Sequence, residues 1–426
     1  MSTAVTAGVL NCCTLIYVEI DQNSNKVWQG KVTDDSCFTA QWGRVGSKLQ
    51  SKTYQFSSVL LAKNKFERMK REKLRKGYTE AQLISNQQPQ ITTISSEDLE
   101  TIAAKQIHHG GDVRSKQLIR YLVSVNIHEI IAQTNINYDV STGTFSTPLG
   151  LITPNAIALA RDYLLQIAAM KRNNSRTFGQ LISQYLRLIP QNFGKKLDQS
   201  VFRSPQELQR QYEILNALDA ALATSQPSIE EKIFECTLTR VPGSTTEGKN
   251  TFRWLRQLYK STLNTHHLAS QYQLRRVYEI DIPSMRRIFS KKAAEIGNVK
   301  LHWHGTKASN LLSILKQGLI IPPADAIQCT GRMFGNGIYG SQQSTKALNY
   351  ATNYWNQSGD NEQRVFMLLC EFAMGKEYHP RNWSQNLPKK GYDSTYVTPG
   401  ITGVINQESI VYSTEQVNLK YLCEFV

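Results

Sequence analysis

Hydrophobic and polar positions follow three successive rhythms along the 426-residue chain. Over residues 13–45 the short runs "CTLIYVEI", "VWQGKV" and "CFTAQWGRVG" alternate with the turn clusters "DQNSNK" and "TDDS". β-branched and aromatic residues favour strands, and Asp, Asn and Ser favour turns, so this spacing predicts a small antiparallel sheet. The period then changes. In "FSSVLLAKNKFERMKREKLRKGY", Val59, Ala62, Phe66 and Met69 recur at helical spacing, which predicts one helix docking its apolar face on the sheet. Residues 79–103 are polar and rich in Gln, Ser and Thr, and read as a linker.

From 104 to 225 the rhythm is helical. Ile127, Ile130, Ile131 and Thr134 form one stripe, Ile157, Ala160, Leu164 and Ile167 a second, and Leu208, Tyr212, Leu215 and Leu222 a third. "TPNAIALARDYLLQIAAM" opens with Thr153 as N-cap and Pro154 at the first helical position. Such stripes bury the core of a bundle. From 226 onward the texture is β-rich again, in "IFECTLTRV", "YQLRRVYEIDI", "KLHWHG", "RVFMLLCEFAMG" and "SIVYSTEQVNLKYLCEFV". Short helices such as "SNLLSILKQG", with Gly318 as its stop, make this an α+β domain.

Charge changes the picture more than composition does. With 40% hydrophobic and 19% charged residues the chain is a soluble globular type, and no apolar run reaches membrane-spanning length. The N-terminus lacks the charged region of a signal peptide, so neither a secretory route nor a membrane partner is expected. Seven cysteines without a C-x-x-C pair suggest reduced, mostly buried thiols. A formal charge of +15 makes nucleic acid the leading partner class. Residues 61–78 concentrate that charge, with eight Lys/Arg against two Glu.

Three short stretches carry candidate chemistry. In "VKLHWHGTKASN", His302 and His304 stand two apart, on one face of a strand. They could be a metal pair, an acid/base pair, or one useful ring beside a bystander; no third ligand sits at telling spacing. In "TGRMFGNGIYGSQQSTKALNYA", Gly331, Gly335, Gly337 and Gly340 crowd together, with Tyr339 and Tyr350 offering two ring faces for a planar ligand. In "VINQESIVYSTEQVNLKYL", Glu408 precedes an alternating strand.

Together and in this order, the three stretches resemble the catalytic domain of the poly(ADP-ribose) polymerases, with the family's His–Tyr–Glu triad at His304, Tyr339 and Glu408. "TLNTHHLASQYQLRRVYEI" resembles the start of that domain, "VNIHEIIAQTNINYDVSTGTFSTPLGLITPNAIALA" and "YLRLIPQNFGKK" resemble the family's helical regulatory domain, and "QWGRVG" is similar to its WGR domain. The resemblance implies a multidomain α+β chain. Residues 1–78 would form a small antiparallel WGR sheet plus helix, 79–103 a linker, 104–225 an all-α autoinhibitory bundle, and 226–426 a mixed α+β ADP-ribosyltransferase domain.

It also implies an activity: transfer of ADP-ribose from NAD⁺, as substrate and with no metal, to protein acceptors including the chain itself, in response to DNA breaks. By resemblance, the Gly305 backbone bonds the nicotinamide amide, Tyr339 and Tyr350 stack on its ring, and His304 bonds the adenine-side ribose. Thr306 stands where a hydroxyl residue contacts NAD⁺, and Glu408 polarises the nicotinamide-ribose 2′-hydroxyl and aligns the acceptor. Trp42 and Arg44 resemble residues that pack at a DNA end or a nick with a 5′-phosphate. Lys70, Arg71 and Lys73 of the basic helix would add phosphate contacts. The protein is expected to be a monomer without DNA and intracellular, nuclear in a eukaryote and otherwise cytoplasmic. Deleting residues 104–225 should raise DNA-free activity.

Three departures bear on catalysis. Ala347 replaces a serine that bonds the nicotinamide amide, a loss of about 0.5–1.5 kcal/mol. Gly340 replaces an aromatic residue. The segment from Lys389 to Glu408 is short for the family, which leaves chain elongation open. Polymer synthesis is the leading expectation. Mono-ADP-ribosyl transfer and a DNA-end scaffold with impaired catalysis are its alternatives. His302 is expected to be a packing or edge residue that tolerates alanine, whereas His304→Ala should abolish transfer.

Overall fold

Trp28, Phe38 and Phe66 organise the first sheet. Strands β1 (Val9–Glu19), β2 (Ser24–Thr33), β3 (Cys37–Arg44) and β4 (Gln50–Gln55) precede helix α1 (Val59–Arg75) and the short β5 (Thr79–Glu80). They pair in the order β4-β3-β2-β1-β5. Ser58 caps α1 by accepting a hydrogen bond from the Leu61 amide, and Ala62 and Phe66 turn the helix onto the sheet. Phe66 meets Phe38 edge-on at 5.9 Å. Gly30 lies beneath it, where a Cβ would stand 2.6 Å from the Trp28 ring and 2.8 Å from Phe66. Each fully buried aromatic here contributes roughly 1.5–3 kcal/mol.

The computed structural model describes residues 8–45, 47–80, 106–134, 136–139, 144–147, 150–170, 175–191, 199–225, 234–321, 333–352, 364–384 and 386–426. The expected linker falls almost wholly outside these residues, as does Gly331. The chain divides into two compact units, one of residues 1–96 and 129–215 and one of residues 97–128 and 216–426.

The helical stretch comprises α2 (Val113–Gln133), α3 (Pro154–Ala169), α4 (Ser175–Leu188) and α5 (Pro205–Ser225). It is not purely helical. Strands β6 (Asn137–Asp139), β7 (Thr144–Thr147) and β8 (Gly150–Leu151) form a small three-stranded sheet between α2 and α3. Helix α3 starts as expected, with Thr153 accepting from the Ala156 amide at 3.2 Å and Ile157, Ala160, Leu164 and Ile167 buried. On α2 the expected stripe holds at Ile130, Thr134 and the half-buried Ile127 and fails at Ile131. The buried stripe is Leu118, Ile119, Leu122, Val123 and Ile130, while Ile131 is exposed. In the first unit, α4 packs on β1, and Asn25 donates to the Gln191 carbonyl at 3.3 Å. Gln191 and Gln211 are buried together, and Gln211 also accepts from the Tyr185 hydroxyl at 2.6 Å.

The second unit is built on β9 (Thr237–Arg240), α6 (Thr246–Ser261), β10 (Leu274–Asp281), α7 (Pro283–Ile296), β11 (Val299–Gly305) and α8 (Ala308–Gln317). It continues through β12 (Ile338–Gly340), α9 (Ser344–Ala351), β13 (Val365–Ala373), β14 (Glu377–Tyr378), β15 (Ser394–Val397), β16 (Glu408–Val411) and β17 (Val417–Phe425). Gly318 stops α8 as expected, its amide bonding the Ile314 carbonyl at 2.8 Å. One sheet runs β11-β13-β17-β10-β9 and a second β12-β16-β15-β14. Trp303 and Ser341 stitch them together, each amide donating to the other's carbonyl, at 2.8 and 3.0 Å. β13, "VFMLLCEFA", is buried on both faces, which is why its sequence is apolar except at Glu371, where Asn418 donates to the carboxylate at 2.7 Å.

One face of the larger sheet shares a core with α8, with Leu118, Ile119, Leu122 and Val123 of α2, and with Ala220 of α5. Behind it, the fully buried Glu424 accepts from Arg276 at 2.9 Å and Arg364 at 3.0 Å, and Arg364 lies 4.3 Å over the Tyr121 ring of α2. The two arginines give this buried carboxylate the hydrogen-bond partners that water would otherwise supply.

Candidate active site

Antiparallel pairing of β11 with β13 sets His304 opposite Leu368 and Gly305 opposite Met367. The His304 Nδ1 lies 2.8 Å from the Tyr339 carbonyl. A carbonyl only accepts, so Nδ1 carries the proton and Nε2 is an acceptor. Burial holds the His304 pKa below its ordinary value, against the pull of the Tyr339 carbonyl, so the ring is neutral at pH 7.

His302 behaves differently. It is fully buried, its ring sits 4.9 Å from Phe372, and burial drops its pKa to about 4. Its Nε2 finds no hydrogen-bond partner among the described residues. It is a packing residue. The same contact explains Gly340: a Cβ there would collide with the Phe372 ring and stand 2.9 Å from the His302 Cβ. The aromatic volume expected at 340 is supplied by His302 and Phe372.

Tyr339 is fixed by its own glycine-rich turn. Its hydroxyl donates to the Gly335 carbonyl at 2.8 Å and accepts from the Phe334 amide at 3.0 Å. Gly335 has φ +87°, and a Cβ there would lie 2.6 Å from the Leu387 carbonyl, so the turn demands glycine twice over. Tyr339 pairs with Ile410 of β16, which brings Glu408, the first residue of that strand, to the same end.

Glu408 is buried and ion-paired with Lys346 of α9, itself buried. Burial pulls the Lys346 ammonium below its usual range, and the Glu408 charge works against that pull. Gln407 locks the approach to Glu408. Its carbonyl accepts from Ser341 Oγ at 2.7 Å, its Oε1 accepts from the Gln342 amide at 2.7 Å, and its Nε2 donates to Ser409 at 2.7 Å. Sequence reading missed Lys346 and Gln407. Lys346 stands one helical turn before Tyr350, and that i, i+4 spacing was its available signal.

Gly305 faces α9 so closely that a Cβ would collide with the Ala347 carbonyl, and would lie 3.3 Å from the Tyr350 Cβ. Tyr350 is 42% exposed, yet desolvation of its hydroxyl, with the Glu408 charge adding, pushes its pKa to about 12. Thr306 follows, its Oγ1 accepting from Asn310 at 3.3 Å. His304, Gly305, Thr306, Tyr339, Tyr350 and Glu408 therefore gather in one unit around a glycine-lined wall, an exposed tyrosine face and a buried carboxylate.

The other predicted contacts lie in the first unit. Trp42 pairs across from Trp28 and half-buries its ring against the sheet core. Arg44 braces the β1–β2 turn, donating to the Asn23 carbonyl and to Asn23 Oδ1, both at 2.9 Å. Asn23 has φ +49°, in the left-handed region, and Arg44 holds it there. Lys70 is paired with Glu80 at 2.7 Å, Lys73 lies 5.0 Å over the Tyr78 ring, and Arg71 donates to the Glu67 carbonyl at 3.3 Å. Among the described residues no group of three or more His, Cys, Asp or Glu converges as a metal site, and no helix is long and apolar enough to cross a membrane.

A buried carboxylate beside the close backbone approach of Gly305 and an exposed tyrosine is an arrangement chemically suited to holding a sugar and a planar ring. The sequence matches the WGR domain over residues 11–84, the poly(ADP-ribose) polymerase regulatory domain over 114–232 and the poly(ADP-ribose) polymerase catalytic domain over 249–403. The chain belongs to the poly(ADP-ribose) polymerase family and is an ADP-ribosyltransferase that uses NAD⁺ as substrate. Glu408 lies beyond the matched catalytic residues, so its place rests on the geometry above. Protein mono-ADP-ribosyltransferase PARP3 of Mus musculus is 26% identical over 426 residues, covering 90% of this chain and 76% of that one. Poly [ADP-ribose] polymerase 2 of Arabidopsis thaliana is 27% identical over 323 residues, covering 65% and 49%. Poly [ADP-ribose] polymerase 1 of Xenopus laevis is 25% identical over 470 residues, covering 98% and 46%.

Proposed function

We propose that the chain transfers ADP-ribose to proteins, itself included, when its WGR domain engages a DNA break. The observation that carries this reading is the buried Glu408–Lys346 pair beside Gly305 and Tyr350. Gly305 backbone groups hold the nicotinamide amide, Tyr350 and Tyr339 flank its ring, and His304 Nε2 accepts a hydrogen bond from a ribose hydroxyl. The bond between ribose C1′ and nicotinamide nitrogen breaks, its electron pair leaving with neutral nicotinamide. Glu408 polarises the neighbouring 2′-hydroxyl while positive charge builds on the ribose. An acceptor oxygen then bonds C1′, and its proton passes to Glu408.

Regulation would act through α8, the helix that follows Gly305 and Thr306. Asn126 of α2 donates to the Ser309 carbonyl at 3.1 Å, and Asp219 of α5 pairs with Lys316 at 2.8 Å. Both regulatory helices therefore grip the element next to the pocket, and loosening that grip is the step DNA would drive. On the WGR side, Trp42 and Arg44 would meet the broken end, with Lys70, Arg71 and Lys73 near phosphate.

Mono-transfer is the second reading, favoured by the short Lys389–Glu408 segment and by the mono-transferases among the relatives. One assay tests both: purified protein and labelled NAD⁺, with and without 5′-phosphorylated nicked DNA, resolved on a gel. A DNA-dependent ladder supports polymer synthesis and a single shifted band supports mono-transfer. DNA binding without any label would leave a scaffold and overturn the activity proposed here.

A further inference from the structure

Helix α6 carries a feature that transfer chemistry does not use. Lys249, Arg253, Arg256 and Lys260 are all exposed and follow one another at i, i+4, i+7 and i+11. At about 100° per residue they fall within a strip about 60° wide, running about 16 Å along the helix. None of the four makes an ion pair among the described residues; Arg253 donates instead to Asn250 at 3.0 Å. The helix has one carboxylate, Glu247, in its first turn. A helix that merely faces solvent alternates its charges, and like charges one turn apart cost about 0.2–0.5 kcal/mol per pair. Here three successive pairs repel, and only Lys260, in the last turn, is placed to offset this through the helix dipole.

Next to the strip the helix changes chemistry in order. Asn250 and Gln257, seven residues apart, bring amides onto one face, and beyond them Trp254 stands 42% exposed. Tyr421 contacts the indole edge-on at 6.1 Å and fixes its orientation. The opposite side of α6 is anchored, with Leu255 and Tyr259 buried in the core behind β13. The C-terminal end reaches α9, where Ser344 donates to the Tyr259 carbonyl at 2.9 Å. The strip is therefore a rigid track on the transferase unit itself.

We infer that α6 binds a single strand of nucleic acid, with phosphates along the cation row and bases turned across the amides toward Trp254. Cations spaced about 4.5–6 Å apart match evenly spaced single phosphates. A chain of ADP-ribose units presents its phosphates in pairs separated by two sugars and an adenine. A duplex hides the base faces that an exposed indole stacks on. This surface is separate from the WGR contacts proposed above and does not depend on them.

The test uses the full chain and a fluorescent oligo(dT) strand titrated over a series of salt concentrations. Replacing Lys249, Arg253, Arg256 and Lys260 together by Gln should lower the slope of log affinity against log salt by about 0.7 per cation removed. Trp254→Ala should weaken oligo(dT) binding on the order of tenfold or more. Both variants should keep the parent's melting temperature and nick-stimulated transfer. Unchanged affinity and slope in both variants would overturn the proposal. So would variants that lose binding of ADP-ribose polymer while holding oligo(dT) as tightly as the parent.

Discussion

Lys346 and Glu408 stand as a pair whose members cannot be removed singly without cost. Both are buried, so Lys346→Met strands a carboxylate away from water, a change that costs about 3–5 kcal/mol when a buried pair is broken. Adding Glu408→Gln should return most of that stability, and thermal melts of the two single variants and the double variant measure the recovery. Glu408→Gln alone keeps the volume but loses the charge that answers the ribose cation, and should lower transfer about 10²–10³-fold in a labelled-NAD⁺ assay. His302 makes a prediction of another kind. Its pKa is about 4 in the fold against an ordinary 6.5, because burial disfavours the charged ring. A depressed histidine favours the fold most above the unfolded value, and that contribution drains away as pH falls from about 6.5 towards 4. The loss amounts to about 3 kcal/mol. Urea unfolding across that window should show it in the parent, and His302→Leu should flatten the curve. The tolerance of alanine expected at 302 meets a physical obstacle, since His302→Ala would open a cavity against Phe372.

Helix α8 is where regulatory and catalytic elements meet. Asp219→Asn keeps the shape of its side chain and removes the charge that holds Lys316. Transfer without DNA should rise several-fold, while DNA-saturated activity changes little; equal basal activity in variant and parent would sink the gating idea. Deleting residues 104–225 is a blunter experiment than the sequence suggested, because Leu118, Ile119, Leu122 and Val123 would leave the core of the transferase unit. The sequence reading finds both period and phase on α3, where Ile157, Ala160, Leu164 and Ile167 are all buried. On α2 it chose Ile131, which is exposed, because a mostly apolar helix offers several stripes and tertiary contact selects among them. It missed β4, an edge strand exposed except at Tyr54 and without hydrophobic alternation. At the site, glycines and tyrosines were legible because "HG" and "GNGIYG" record close backbone approach. Lys346 left only its i, i+4 spacing from Tyr350 as a signal, and its burial does not show until the partner 62 positions away is known.

At the scale of the whole molecule, the proposed activation couples a DNA break to the nicotinamide site, and coupling between binding sites is reciprocal. If a DNA break tightens the pocket for a ligand by some factor, that ligand must tighten the protein for the break by the same factor. A factor of 5–150, typical of such systems, corresponds to about 1–3 kcal/mol. The check uses a non-hydrolysable NAD⁺ analogue, so that chemistry does not cloud the equilibrium. Its affinity is measured with and without saturating nicked DNA, and the DNA affinity with and without saturating analogue. The two ratios should agree. Asp219→Asn should shrink both together, because weakening the hold on α8 moves the free protein towards the state that DNA selects. Each phosphate contact in the proposed DNA complex would add salt dependence, so both arms need one ionic strength. Ratios of one in both arms under matched salt would mean that the two sites bind their ligands without sharing a conformational equilibrium.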